Sequence, residues 1–156
     1  MKLVLQNRQA ETRIRTAAVR KLAAWLIAFW PELKPLAAWA EIALIFTDDD
    51  GITPANRATF SKDGPTDVIS LTYHGVPGEK PRSTGEVFVN AERAQTIGRT
   101  EKGAGRELAL YIAHGLHHLA GASDRTPALR RAMLNEENAW LSKAEKAGLL
   151  KDIARS

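Results

Sequence analysis

Two histidines four residues apart, His114 and His118, followed by Gly121 and Asp124, dictate more about this chain than any other segment. In an α-helix a four-residue step returns to within about 40° of the same face, one turn along. The two imidazoles therefore stand on one side of a helix, where they can share one ion. Gly121 supplies a residue that adopts the left-handed conformation freely, so the helix can end there and the chain turn back. That return brings Asp124 to the third corner of a site.

The chain contains no cysteine, which excludes a disulfide framework, a zinc ribbon and a cysteine nucleophile. A metal site must be built from His, Asp and Glu. The spacing His-x3-His-x5-Asp is that of a three-ligand zinc site whose fourth position is open, the arrangement of catalytic rather than structural zinc. Gly115 follows the first histidine, where His-Glu-x-x-His peptidases carry their general-base glutamate, so a conventional zincin peptidase is not expected. His117 projects about 60° away from His114 on the other side and reads as a neighbour rather than a ligand. His74 falls in a loop, facing substrate or solvent.

At 156 residues the chain is expected to form one domain over 1–156, large enough for a real core. Its 22 Lys and Arg against 18 Asp and Glu give a net charge of +4, a modest lean toward polyanionic partners. The longest apolar stretch, Leu22 to Trp30, falls short of the roughly 18 to 20 residues that span a bilayer. No secretory h-region develops after Lys2 to Leu5, so no membrane association and a cytoplasmic location are expected.

Strands are expected at 2–5, 40–46, 67–73 and 85–89. Helices are expected at 8–30, 54–60 (Thr53 as cap, Pro54 first), 91–98 (capped by Asn90), 106–120 and 127–147. Residues 74–84 read as a loop. Asp48, Asp49 and Asp50 could hold Mg²⁺, but read better as a turn leading into a helix N-terminus. Trp25, Trp30 and Trp39 are assigned to the core. The interleaving gives an α+β domain with a small mixed sheet packed against helices and a zincin-like helix carrying the metal site.

Three segments carry a family resemblance. His114 to Asp124 resembles the His-Gly-x-Leu-His-Leu-x-Gly-x-x-His motif of the YbeY family of rRNA maturation endoribonucleases, matching at His114, Gly115, His118, Leu119 and Gly121. Lys62 to Ser70 resembles its Lys-Asp-x-Pro-Thr-Asp-Val-Leu-Ser block, and Gly85 to Val89 its Gly-Asp-Ile-Val-Ile strand. The resemblance implies a single-strand-specific, zinc-dependent endoribonuclease with one Zn²⁺ per chain. It would act at the 3′ end of small-subunit rRNA and in ribosome quality control. The implied partners are ribosomal RNA precursors, the small subunit and its proteins, and a ribosome-assembly GTPase. The metal ligands would be His114, His118 and Asp124, the last replacing the motif's third histidine.

The family's Tyr-Arg pair before the Lys-Asp block is replaced here by Thr59 and Phe60. Arg57, one helical turn earlier, is therefore the candidate for RNA contact and catalysis beside His114, with Arg93, Arg99, Lys102 and Arg106 extending a phosphate-binding surface. Asp67 and Ser70 are assigned to the scaffold. No separate general base is visible, which leaves activated water or the RNA's own 2′-hydroxyl as nucleophile. A rival reading is a non-catalytic ribosome assembly factor that binds RNA around a structural metal. A third, weaker one is a metallohydrolase of peptides or small molecules.

Overall fold

The computed structural model describes residues 1–75, 78, 82–99 and 103–155. Lys102 and most of the 76–81 stretch of the expected loop lie outside them. The element order is β1 (Lys2–Asn7), β2 (Arg13–Ile14), α1 (Thr16–Phe29), a 3₁₀ turn (Lys34–Ala38), β3 (Glu41–Thr47), α2 (Asp49–Phe60), β4 (Val68–Tyr73), β5 (Thr84–Asn90), α3 (Ala91–Gly98), α4 (Ala104–Leu119), α5 (Pro127–Lys146) and β6 (Ala154–Arg155). The main sheet runs β1-β3-β5-β4, with β1, β3 and β5 parallel and β4 antiparallel on the edge. Strand β3 is buried from Ile42 to Thr47, as an inner parallel strand covered on both faces must be. The mixed sheet packed with helices is the expected α+β fold.

Two helices begin elsewhere than expected. Ile14 falls at helical spacing with Ala18 and Leu22, yet Arg13 and Ile14 pair antiparallel with Arg155 and Ala154, and α1 starts only at Thr16. Before that the chain is pinned by Arg8 N donating to Phe46 O and by the buried Thr12, whose hydroxyl donates to Ala91 O. Helix α2 starts at Asp49 rather than Pro54, because the Asp48 carboxylate accepts the Gly51 N–H at 2.8 Å and caps it. Pro54 is thus interior. The aspartate run is a helix start, with Asp49 Oδ1 accepting from Nδ2 of the fully buried Asn90 at 2.7 Å.

Helix α4 crosses β4 and β5 and packs on α3 and α5. Its contact with the sheet is unusually close at Gly115, where a Cβ would lie 2.3 Å from Val87 Cγ1 and 3.2 Å from Val68 Cγ2. Ser70 Oγ donates to Gly115 O at 2.9 Å across the same contact. The edge strand and the helix are thereby locked in register, which fixes where His114 and His118 stand relative to β4.

The helix interior forbids the usual escape of shifting the backbone, so Gly115→Ala is expected to destabilise by about 1–3 kcal/mol through overpacking, measured by urea unfolding. Adding Val87→Ala should recover part of that loss.

Candidate metal centre

Helix α4 ends as its sequence demands. Gly121 takes φ 107°, its N–H donating to His118 O at 3.0 Å while Ala122 N donates to His117 O at 3.1 Å. The reversed chain returns Asp124 to the helix face, with Oδ2 at 3.3 Å from His118 Nε2 and 3.8 Å from His114 Nε2. The two Nε2 atoms lie 3.0 Å apart.

The partners of the other ring nitrogens decide what those Nε2 atoms offer. His118 Nδ1 lies 3.1 Å from Ala122 O, which only accepts, so Nδ1 carries the proton. His114 Nδ1 lies 3.0 Å from both oxygens of Glu137, a carboxylate with 0% exposure. In the neutral rings both Nε2 atoms then present lone pairs to each other and to Asp124. Three electron-pair donors converging this way repel one another unless a proton or a metal ion lies among them. Ligands about 2.0–2.1 Å from a tetrahedral zinc stand about 3.3 Å apart, within the spread of the three separations here. His114, His118 and Asp124 can together bind a metal ion.

Burial by itself lowers the His114 pKa, but the hydrogen bond and charge of Glu137, with Asp67 and Asp124 adding, raise it overall. Glu137 shows the opposite balance: burial raises its pKa, and hydrogen bonds from His114 and His117 bring it below the usual carboxylate range. His117 shares this carboxylate, with Nδ1 2.8 Å from Glu137 Oε2 and Nε2 3.4 Å from Glu136. It lies outside the ligand triangle, held against the Trp140 ring at 4.6 Å.

Glu137 was not singled out from the sequence, although α5 carries a signal. Met133, Glu137, Trp140, Leu141 and Ala144 form one buried stripe, and a glutamate occupies an apolar position in it. An acid there needs a cationic or hydrogen-bonding partner across the helix pair.

The triad stands between two cavities. A cleft of about 570 Å³ is lined by Asn56, Phe60, Lys62, His118 and Arg125 among others, and a smaller cavity of about 310 Å³ by Leu110, Tyr111, Arg130 and Glu137; His114, Asp124 and Asp67 border both. Ser70, assigned to the scaffold, docks β4 on α4 while bordering the cleft. Arg57 does not line either cavity: its Nε donates to Asp63 at 2.6 Å and its side chain is 61% exposed. The inward face of α2 runs through Ile52 and Asn56, and Arg57 is rotated about 100° past it. Arg93 and Arg99 are exposed on and just after α3 and line neither cavity. Among the described residues, the cations that line the cleft are Lys62 and Arg125.

The model of the family described as endoribonuclease YbeY matches residues 4–145. The chain belongs to the YbeY family. An endoribonuclease YbeY of Anaeromyxobacter sp. is 38% identical over 141 residues, covering 90% of this chain and 67% of that protein. One from Chlamydia felis is 27% identical over 159 residues, covering 97% of each. A solution structure of a Thermotoga maritima protein shares the fold at TM-score 0.59 and 17% identity, covering 96% of this chain and 95% of that one. Membership makes the chain a nuclease, a hydrolase that cleaves RNA in rRNA processing. No helix among the described residues is long and apolar enough to cross a membrane.

Because protons compete with metal for His114, and its pKa is raised, metal affinity should decline with falling pH from a point above the ordinary histidine value of about 6.5. Glu137→Gln should lower metal affinity about 10- to 100-fold, since it weakens the acceptor that orients the His114 ring. Chelator competition across pH 5 to 8 (about the histidine range) measures both.

Proposed function

We propose that this protein is a zinc-dependent endoribonuclease, specific for single strands, that matures the 3′ end of small-subunit rRNA and acts in ribosome quality control. The observation that carries the proposal is the His114, His118 and Asp124 triangle lining a cleft that Lys62 and Arg125 also line. Two imidazoles and one carboxylate suit zinc better than magnesium, which prefers an octahedral shell of oxygens. Bound there, zinc would supply Lewis-acid activation of a phosphoryl oxygen and of water.

The chain's own groups do the rest. Glu137 and Ala122 O hold the two imidazoles in the tautomer that leaves Nε2 free to ligate. Lys62 and Arg125 neutralise phosphate charge as the backbone enters, the guanidinium through paired hydrogen bonds. Asp67 accepts the Val68 N–H through Oδ1 at 2.8 Å while bordering the cleft beside His114. The acceptor holds the start of β4 in place and adds negative charge toward His114. The cleft opens onto solvent, which fits a long polymeric substrate. The substrate, we infer, is a ribosomal RNA precursor in the cytoplasm, met together with the small subunit, its proteins and an assembly GTPase.

Purified protein should carry one zinc per chain by plasma mass spectrometry, with His114→Ala and Asp124→Ala each losing it. The same variants should lose cleavage of a single-stranded rRNA 3′-end precursor by at least 100-fold, on the order of one lost metal contribution of about 3 kcal/mol. RNA binding with no cleavage in zinc-loaded wild-type protein would instead favour the non-catalytic assembly factor.

A further inference from the structure

We propose that Phe60 forms a nucleobase-stacking subsite at the mouth of the metal cleft. The proposal rests on the endoribonuclease reading and adds where a base of the substrate sits. Phe60 is the last residue of α2, is 55% exposed, and lines the same cleft as Lys62, Arg125 and the three metal-ligand candidates. A large ring left this open to water gives up the burial that would stabilise it, and a base can restore that contact.

Neither of the other open aromatics is placed as Phe60 is. Phe29 is 50% exposed but stacks on Trp25 at a centroid distance of 4.9 Å, with Lys143 Nζ 5.7 Å from its ring centre. Tyr73 is 48% exposed but borders neither cavity beside the triad. No aromatic ring among the described residues packs on Phe60.

The platform is braced from behind. Ser61 turns the chain in the left-handed region at φ 55° with its N–H donating to Arg57 O at 3.0 Å. Asn56 Nδ2 donates to Gly64 O at 2.9 Å, and the Arg57–Asp63 ion pair closes the same loop. Arg57 thus acts on the loop that holds Phe60 and Lys62 rather than on the cleft. An aromatic face flanked by cations that follow a phosphate backbone is how single strands are held without base-pair readout. A duplex keeps its bases stacked on one another and cannot offer one to the ring, so the subsite also accounts for the preference for single strands.

The test is fluorescence anisotropy of wild type, Phe60→Ala and Phe60→Trp with a short single-stranded RNA, and with a set of RNAs each carrying one abasic nucleotide. Phe60→Ala should weaken binding roughly 5- to 100-fold, Phe60→Trp should restore it, and the loss should be carried in KM for cleavage. One abasic position should abolish the difference between wild type and Phe60→Ala. Equal affinity of wild type and Phe60→Ala, or a loss that persists at every abasic position, overturns the subsite; in the second case the ring serves the loop or a protein partner. Wild-type protein that binds no single-stranded RNA overturns the endoribonuclease reading itself, a result distinct from cleaving protein that is indifferent to Phe60.

Discussion

The contact that the rest of the structure depends on is the one made by a side chain that is absent. At Gly115 helix α4 lies against Val87 and Val68 so closely that no Cβ fits, and Ser70 ties the helix carbonyl to the edge strand. His114 precedes that contact and His118 follows it by three residues, so the distance from sheet to imidazoles is set by van der Waals exclusion rather than by loop geometry. The same contact explains the missing peptidase glutamate. Position 115 faces a packed sheet, and a carboxylate there would have no room and no solvent. Metal chemistry on this helix must do without a base at that position.

Holding two imidazoles in one tautomer has an electrostatic side. Glu137 is wholly buried, and an isolated buried carboxylate would take up a proton. It stays ionised because His114 and His117 both point Nδ1 at it, and in return its hydrogen bond and charge make the His114 imidazole a better base. The YbeY motif carries leucine where this chain has His117, and here the carboxylate serves two rings. Breaking such a group by removing a single member leaves an unpaired polar atom in the core, which is why α5 and α4 must stay docked for the site to exist. Trp140 and Leu141, on the same stripe as Glu137, provide the apolar contact that keeps them so.

Much of this was legible in the sequence because it is local. Helical spacing places His114 over His118, and Gly121 at φ 107° ends the helix, both encoded within eight residues. The inner strands are readable for a related reason, since burial on both faces requires a continuous apolar run such as Ile42 to Phe46. What was not legible depends on partners far away in sequence. Ile14 has helical spacing with α1, but Ala154, 140 residues on, claims it for a strand. Pro54 looks like a first helical residue, yet the Asp48 cap and the Asn90 hydrogen bond to Asp49 outweigh the one backbone N–H that proline lacks. Arg57 lies one turn before Phe60, but three residues leave an offset of about 60° between their faces. With the helix face defined by Ile52 and Asn56, the arginine faces the loop and Phe60 overhangs the cleft.

The departures of this chain from the motif therefore form a pattern. Asp124 replaces a neutral imidazole by an anion, which lowers the net charge of a metal-bound centre and weakens its pull on phosphate. Phe60 stands where a guanidinium would have added positive charge to the cleft. Both changes reduce the electrostatic attraction of the site for RNA, and among the described residues Lys62 and Arg125 are the cations along it. Binding that leans less on charge must lean more on contact, and the exposed ring at the cleft mouth is the contact available. Such a protein should hold RNA with a shallow salt dependence, because stacking releases no counterions while each phosphate contact releases about one. The slope of affinity against salt thus separates a cleft that works by charge from one that works by stacking. On the proposed stacking subsite, an aromatic residue in the place of an arginine changes how the strand is gripped, with the candidate metal centre kept on α4.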